Sequence, residues 1–161
     1  MKRAQSQIVG AVVLILLVIA SAMVIMGFVL PFIRDKLSGT ECLDVSGKIL
    51  IKNNPTYTCY ESAGANMSVQ ILFKDVQNLT KGFQINVESR GSSKTVSVIS
   101  GTTDEVYMRN GGVVEVPGKN EERTYIITGI NSLPDSISVY PILNNDKTCD
   151  ASDVMTTVVS C

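Results

Sequence analysis

Apolar and polar residues fall into two regimes along this chain. From residue 8 to residue 33 no side chain is charged, a run of 26 positions broken by one hydroxyl, Ser21. Lys2 and Arg3 stand before the run, and Arg34, Asp35 and Lys36 close it. A helix of that length rises ~39 Å at ~1.5 Å per residue, more than the ~30 Å of a bilayer's hydrocarbon core. Polar positions every three or four residues, which a helix half-buried in a soluble core would show, are missing. The run is also too long for the apolar part of a cleaved secretory signal and has no A-x-A-like site at its end. Pro31 has no N–H to give the Gly27 carbonyl, so a kink or stop is expected there, and Ser38-Gly39 is expected to end the helix.

Beyond Gly39 the period changes to two. Ile49 and Ile51 share a face within residues 48–52; Val69, Ile71 and Phe73 alternate with Gln70, Leu72 and Lys74; Phe83, Ile85 and Val87 alternate with Gln84, Asn86 and Glu88. Further strands are expected at 56–60, 95–99, 113–116, 124–130 and 137–142. Between them lie Asn53-Asn54-Pro55, Lys81-Gly82, Arg90-Gly91, Asn110-Gly111-Gly112, Pro117-Gly118 and Leu133-Pro134-Asp135, all turn chemistry. Seven or eight short strands at this spacing predict an α+β chain: a long N-terminal hydrophobic α-helix followed by an all-β immunoglobulin-like sandwich, without the Cys…Trp…Cys pattern, since Trp is absent. The division expected is a short leader at 1–4, the helix at 5–37 and a head at 38–161, the last long enough for one core.

Composition narrows the function. A formal charge of −1 provides no basic stripe for nucleic acid. The four cysteines, Cys42, Cys59, Cys149 and Cys161, all follow the helix at spacings of 17, 90 and 12, unlike the close pairs of a zinc site, and the chain has no histidine. Disulfides in an oxidising compartment fit better. Of three possible pairings, Cys42 with Cys59 and Cys149 with Cys161 is expected, because each closes a short local loop. Two sequons, at Asn66 and Asn78, agree with an exported glycoprotein.

Catalytic signals are absent. Without histidine, Ser/His/Asp and Cys/His mechanisms are excluded, and no enzyme activity or cofactor is expected. Asn110-Gly111-Gly112 reads as a hairpin turn with no phosphate-loop Lys and Ser after it. Asp146, Asp150 and Asp153 match no EF-hand spacing and read as a solvated loop, not a metal site. Glu121-Glu122-Arg123 reads as a charged, exposed turn, and the five tyrosines as core or sheet-surface residues.

The first ten residues, Met1-Lys2-Arg3-Ala4-Gln5-Ser6-Gln7-Ile8-Val9-Gly10, resemble the class III signal of archaeal type IV pilins: a short basic leader, a small residue, and a polar patch leading into the apolar helix. The order of elements is also similar to the β-sandwich heads of archaeal pilins and archaellins. Two positions depart from the family: Val9 stands where many bacterial pilins carry an acid, and Gln7 where archaeal relatives often have proline. The resemblance implies cleavage by a prepilin peptidase between Ala4 and Gln5, membrane insertion of the helix, then extraction by assembly machinery into a homo-oligomeric filament at the cell surface. Gly10, Ala20 and Gly27 would let neighbouring backbones approach closely, and Pro31 would shape the helix's outer end. Adhesion is the role this implies; the alternatives are a surface-binding protein on an uncleaved single-pass anchor and a pseudopilin of a secretion or uptake machine.

Overall fold

In a computed structural model, the backbone is described for residues 2–76, 78–101 and 105–161, and side chains at positions 12–30, 32–33 and within the stretches from 41 onward. Two compact units are present, Met1–Thr40 and Glu41–Cys161.

The first unit is helical. Helix α1 spans Lys2–Val24, a π-helical turn follows over Ile25–Val29, and α2 spans Leu30–Val45. The Leu30 N–H donates to the Ile25 carbonyl, one residue further back than in an α-helix. This wide turn stands immediately before Pro31, whose missing N–H leaves the regular ladder one bond short. Of the kink or stop expected at Pro31, the stop does not occur: a π turn precedes the proline and helical backbone continues beyond it. Nor do Ser38-Gly39 end it. Helical backbone runs to Val45, because the final turn is held by the head: Val45 is fully buried in its core and Cys42 is bridged to Cys149. Those contacts override a glycine penalty of about 1 kcal/mol.

The head is a two-sheet antiparallel sandwich, the immunoglobulin-like architecture expected. One sheet holds β1 (Ile49–Ile51), β3 (Asn66–Phe73), β7 (Glu121–Thr128) and β6 (Val106–Met108) in that order, with β2 (Cys59–Glu61) also paired to β3. The other holds β5 (Ser92–Ile99), β4 (Thr80–Ser89), β8 (Ser136–Leu143) and β9 (Asp153–Met155). Alternation dictates the core: Val69, Ile71 and Phe73 from β3 and Tyr125 and Ile127 from β7 face Phe83, Ile85 and Val87 from β4 and Ile137 and Val139 from β8, all essentially without exposure. Phe83 sits between Phe73 and Tyr125 with ring centroids 5.4 Å away on each side. Each such side chain contributes roughly 1.5–3 kcal/mol by leaving water. Gly82 stands at the register shift where β4 enters its pairing with β8; a Cβ there would lie 2.2 Å from the Val98 carbonyl oxygen.

Four local expectations are corrected. Residues 113–116 form no strand: Gly111 and Gly112 both adopt left-handed φ, at 74° and 92°. The chain after them becomes an irregular segment that buries Val114 and leaves Val113 open. The hairpin expected at that turn is therefore replaced by a long connection from β6 to β7. Glu121-Glu122-Arg123 is not a turn but the start of β7, its charges locked by neighbours. Residues 56–58 belong to turns, and β2 begins at Cys59.

All four cysteines are paired, but not locally. The bridges are Cys42–Cys149 and Cys59–Cys161, spanning 107 and 102 residues. The reason lies in strand geometry. The last residues run alongside β2, with the Tyr60 N–H donating to the Val159 carbonyl at 2.8 Å and the Cys161 N–H to the Tyr60 carbonyl at 2.9 Å. That places Cys161 against Cys59, while the helix foot lies beside the β8–β9 connection carrying Cys149.

Candidate functional site

The first functional feature is an apolar helical surface that is left unburied among the described residues. Across Val12–Val29 the mean hydropathy is 3.0 over 18 residues and none of the window is buried. Leu14, Met26 and Phe28 are 65%, 71% and 75% exposed, values that a helix in water could not sustain. Ser21 is the polar exception, and its hydroxyl donates to the Val18 carbonyl at 2.8 Å, so its donor is satisfied within the helix. Of the small residues expected at helix contacts, Ala20 is exposed and Gly27 has nothing within 4 Å of a Cβ position. The side chains of Gly10, Pro31, Ala4 and Gln5 lie outside the described residues.

The second feature is a groove on the outer face of the β1–β3–β7–β6 sheet. Arg109 follows β6, its own N–H donating to the Thr124 carbonyl at 3.0 Å. Its guanidinium lies over the Tyr57 ring, 5.3 Å from the centroid. Nη1 donates to the Thr56 carbonyl at 3.0 Å and to the Ser68 hydroxyl at 3.4 Å. On one side of Arg109 is a cavity of about 360 Å³ walled by Thr56, Glu61, Asn66 and Ser68. On the other is one of about 420 Å³ walled by Tyr57, Gln70, Asn110 and Thr124. Sequence reading missed this site because its residues come from four separate segments; the one available signal was an arginine beside a turn.

At the far end of the second cavity the charges are mutually engaged. Glu121 accepts from the Gly118 N–H at 2.6 Å and from Arg123 Nε at 2.8 Å. The Gly118 bond, more than the opposing effect of burial, holds its carboxyl below the ordinary value, with Arg123 adding to it. Burial works against the Arg123 charge, but hydrogen bonds to Glu121 and Glu115 outweigh it and raise the pKa. Tyr125 is pushed well up by burial, its hydroxyl donating to the Glu115 carbonyl at 2.6 Å.

Other sequence candidates are dispersed. Asp153 accepts from the Ile51 N–H at 2.8 Å and ties β9 to β1. Asp146 pairs with Lys81. Among the described residues no group of three His, Cys, Asp or Glu side chains could hold a metal. Asn66 opens β3, half-buried, while Asn78 lies in an exposed turn before β4. Tyr60 and Tyr125 are core residues, as expected of tyrosines at strand positions, whereas Tyr57 borders the groove.

The fold and the exposed helix define a class: an immunoglobulin-like β-sandwich, stapled twice, on one apolar helix long enough to cross a membrane. The disulfides fit an oxidising compartment. No family model and no curated protein matches the chain. Among solved structures, a bacterial immunoglobulin-like domain from the M. primoryensis ice-binding adhesin is similar, with a TM-score of 0.40 and 12% identity, covering 72% of this chain and 99% of that domain.

Proposed function

We propose that this chain is the structural subunit of a type IV pilus-like filament, in which residues 5–37 pack as the fibre axis and the β-sandwiches form its surface. The observation that carries the reading is an 18-residue window of mean hydropathy 3.0, none of it buried, in a chain whose head builds its core from other residues. Such a helix requires an apolar environment on every side. Lipid supplies one before assembly and copies of the same helix supply another. Because lipid is already apolar, transfer into the fibre gains little from hydrophobicity; close packing at Ala20 and Gly27 and contacts between heads must supply the difference. Removal of residues 1–4 would delete Lys2 and Arg3, the cations that resist leaving the cytoplasmic face.

The reading is tested on sheared surface material by negative-stain imaging and intact-mass measurement of the major subunit. Long fibres built of a chain that begins at Gln5 are expected. Val18→Asp is expected to abolish fibres while near-UV circular dichroism of the head stays unchanged. A lone, detergent-solubilised chain retaining Met1 through Ala4 refutes the filament and leaves the single-pass anchor, which the span's length equally fits.

A further inference from the structure

We propose that the groove centred on Arg109 binds an acidic oligosaccharide, with the guanidinium gripping a sugar carboxylate between two adjoining ring subsites. This goes beyond the filament reading and holds whether the helix packs in a fibre or stays in a bilayer.

Arg109 is a cation held in place by neutral groups. Its partners are a carbonyl, a hydroxyl and an aromatic face, and among the described residues no carboxylate forms an ion pair with it. Of a guanidinium's five N–H groups, two are on Nη1; those on Nε and Nη2 have no partner among the described residues. A forked pair of free donors suits a planar carboxylate. Positioning by Thr56, Ser68 and Tyr57 means that little side-chain freedom is lost on binding.

The two cavities share Arg109 and together extend along the sheet. Each falls in the size range of small-molecule sites. The second cavity's walls are mainly polar, Gln70, Asn110 and Thr124 among them; the first sets Pro55, Ile126 and the Cys59–Cys161 bridge beside Glu61, Asn66 and Ser68. The amides and hydroxyls can hydrogen-bond sugar hydroxyls, and the apolar part of the first can pack against the C–H face of a sugar ring. Glu122, also in the second cavity, is engaged by Lys52 at 3.1 Å, and Glu121 by Arg123. These pairings leave Arg109 as the free positive charge facing both lobes among the described residues. Rigidity comes from Cys59–Cys161, which fixes β2 at the rim.

The test is titration calorimetry on the full chain in detergent micelles with trigalacturonate, neutral galactotriose and triglutamate. Trigalacturonate is expected to bind at least about 10-fold more tightly than either control. Arg109→Gln is expected to weaken it about 10- to 100-fold, and Arg109→Lys to recover only part, since an ammonium lacks the fork. Asn66→Asp, which adds a negative charge to the wall without touching the Arg109 contacts, is expected to weaken trigalacturonate by a larger factor than galactotriose. The proposal is overturned by no heat with trigalacturonate at its highest soluble concentration, by equal binding of triglutamate, or by Arg109→Gln and Asn66→Asp variants that bind as the native chain does.

Discussion

The two bridges make a quantitative prediction because their loops interlock. Taken alone, either bridge closes a loop of about 100 residues and, in the chain-entropy treatment, stabilises the head by about 4.7 kcal/mol. Once Cys42–Cys149 is in place, the route from Cys59 to Cys161 in the unfolded chain is much shorter. It runs 17 residues back to Cys42, across the sulfurs, and 12 residues onward from Cys149. A loop of about 30 residues gives about 3.7 kcal/mol for the second bridge. Replacing Cys59 and Cys161 by serine should therefore cost about 3.7 kcal/mol, removal of the other pair about the same, and removal of all four about 8.4 kcal/mol, more than twice either single loss. Against a total of about 5–15 kcal/mol, the four-serine head is expected to be marginal or unfolded. Urea unfolding followed by near-UV tyrosine circular dichroism, on the full chain in detergent, measures all three. A loss under about 1 kcal/mol for either pair, or non-reducing peptide maps linking Cys42 to Cys59, would refute the reasoning.

Three further outcomes follow from single positions. Gly82→Ala places a methyl 2.2 Å from the Val98 carbonyl oxygen, and is expected to lower stability by about 1–3 kcal/mol in the same urea assay. Glu121 has its folded pKa depressed, so its contribution is present above the ordinary value of 4.5 and is lost as pH falls through the lower folded value; Glu121→Gln should flatten the acid limb of urea midpoint against pH, and an unchanged limb sinks the assignment. In the native host, glycopeptide mass spectrometry is expected to find a glycan on Asn78, which is exposed, and none on Asn66, which is paired with Glu61 and Thr128 within its sheet.

How much of this was legible in the sequence depended on whether the signal was local. The apolar run and the alternation of Val69, Ile71 and Phe73 or Phe83, Ile85 and Val87 need only neighbouring residues to be read, and the helix and strands β3 and β4 stand where those patterns put them. Strands β6 and β9 were invisible: each is three residues long, and Asp153–Met155 lies in a polar stretch that becomes a strand only by pairing with β8. Val113–Val116 carried good strand propensity but follows two left-handed glycines that turn it out of the sheet. Cysteine pairing failed for a related reason. Short loops favoured Cys42 with Cys59, yet the terminal segment's bonds to β2 and the helix foot's burial through Val45 fixed partners about 100 residues apart. Arg109 was unremarkable in sequence because Tyr57, Ser68 and Gln70 reach it only through the folded sheet.

The bridge at the helix foot also governs how the head answers a pull. Force arriving along the stalk meets Cys42 and crosses directly to Cys149, so the 107-residue span between them is short-circuited and cannot be reeled out, even if its strands come apart. The slack beyond Cys149 is tied back to Cys59 by the second bridge. Pulled between the stalk and Cys161, such a head can lengthen only by the 12 residues from Cys149 to Cys161, roughly 40 Å of extended chain, until a sulfur bond is cut.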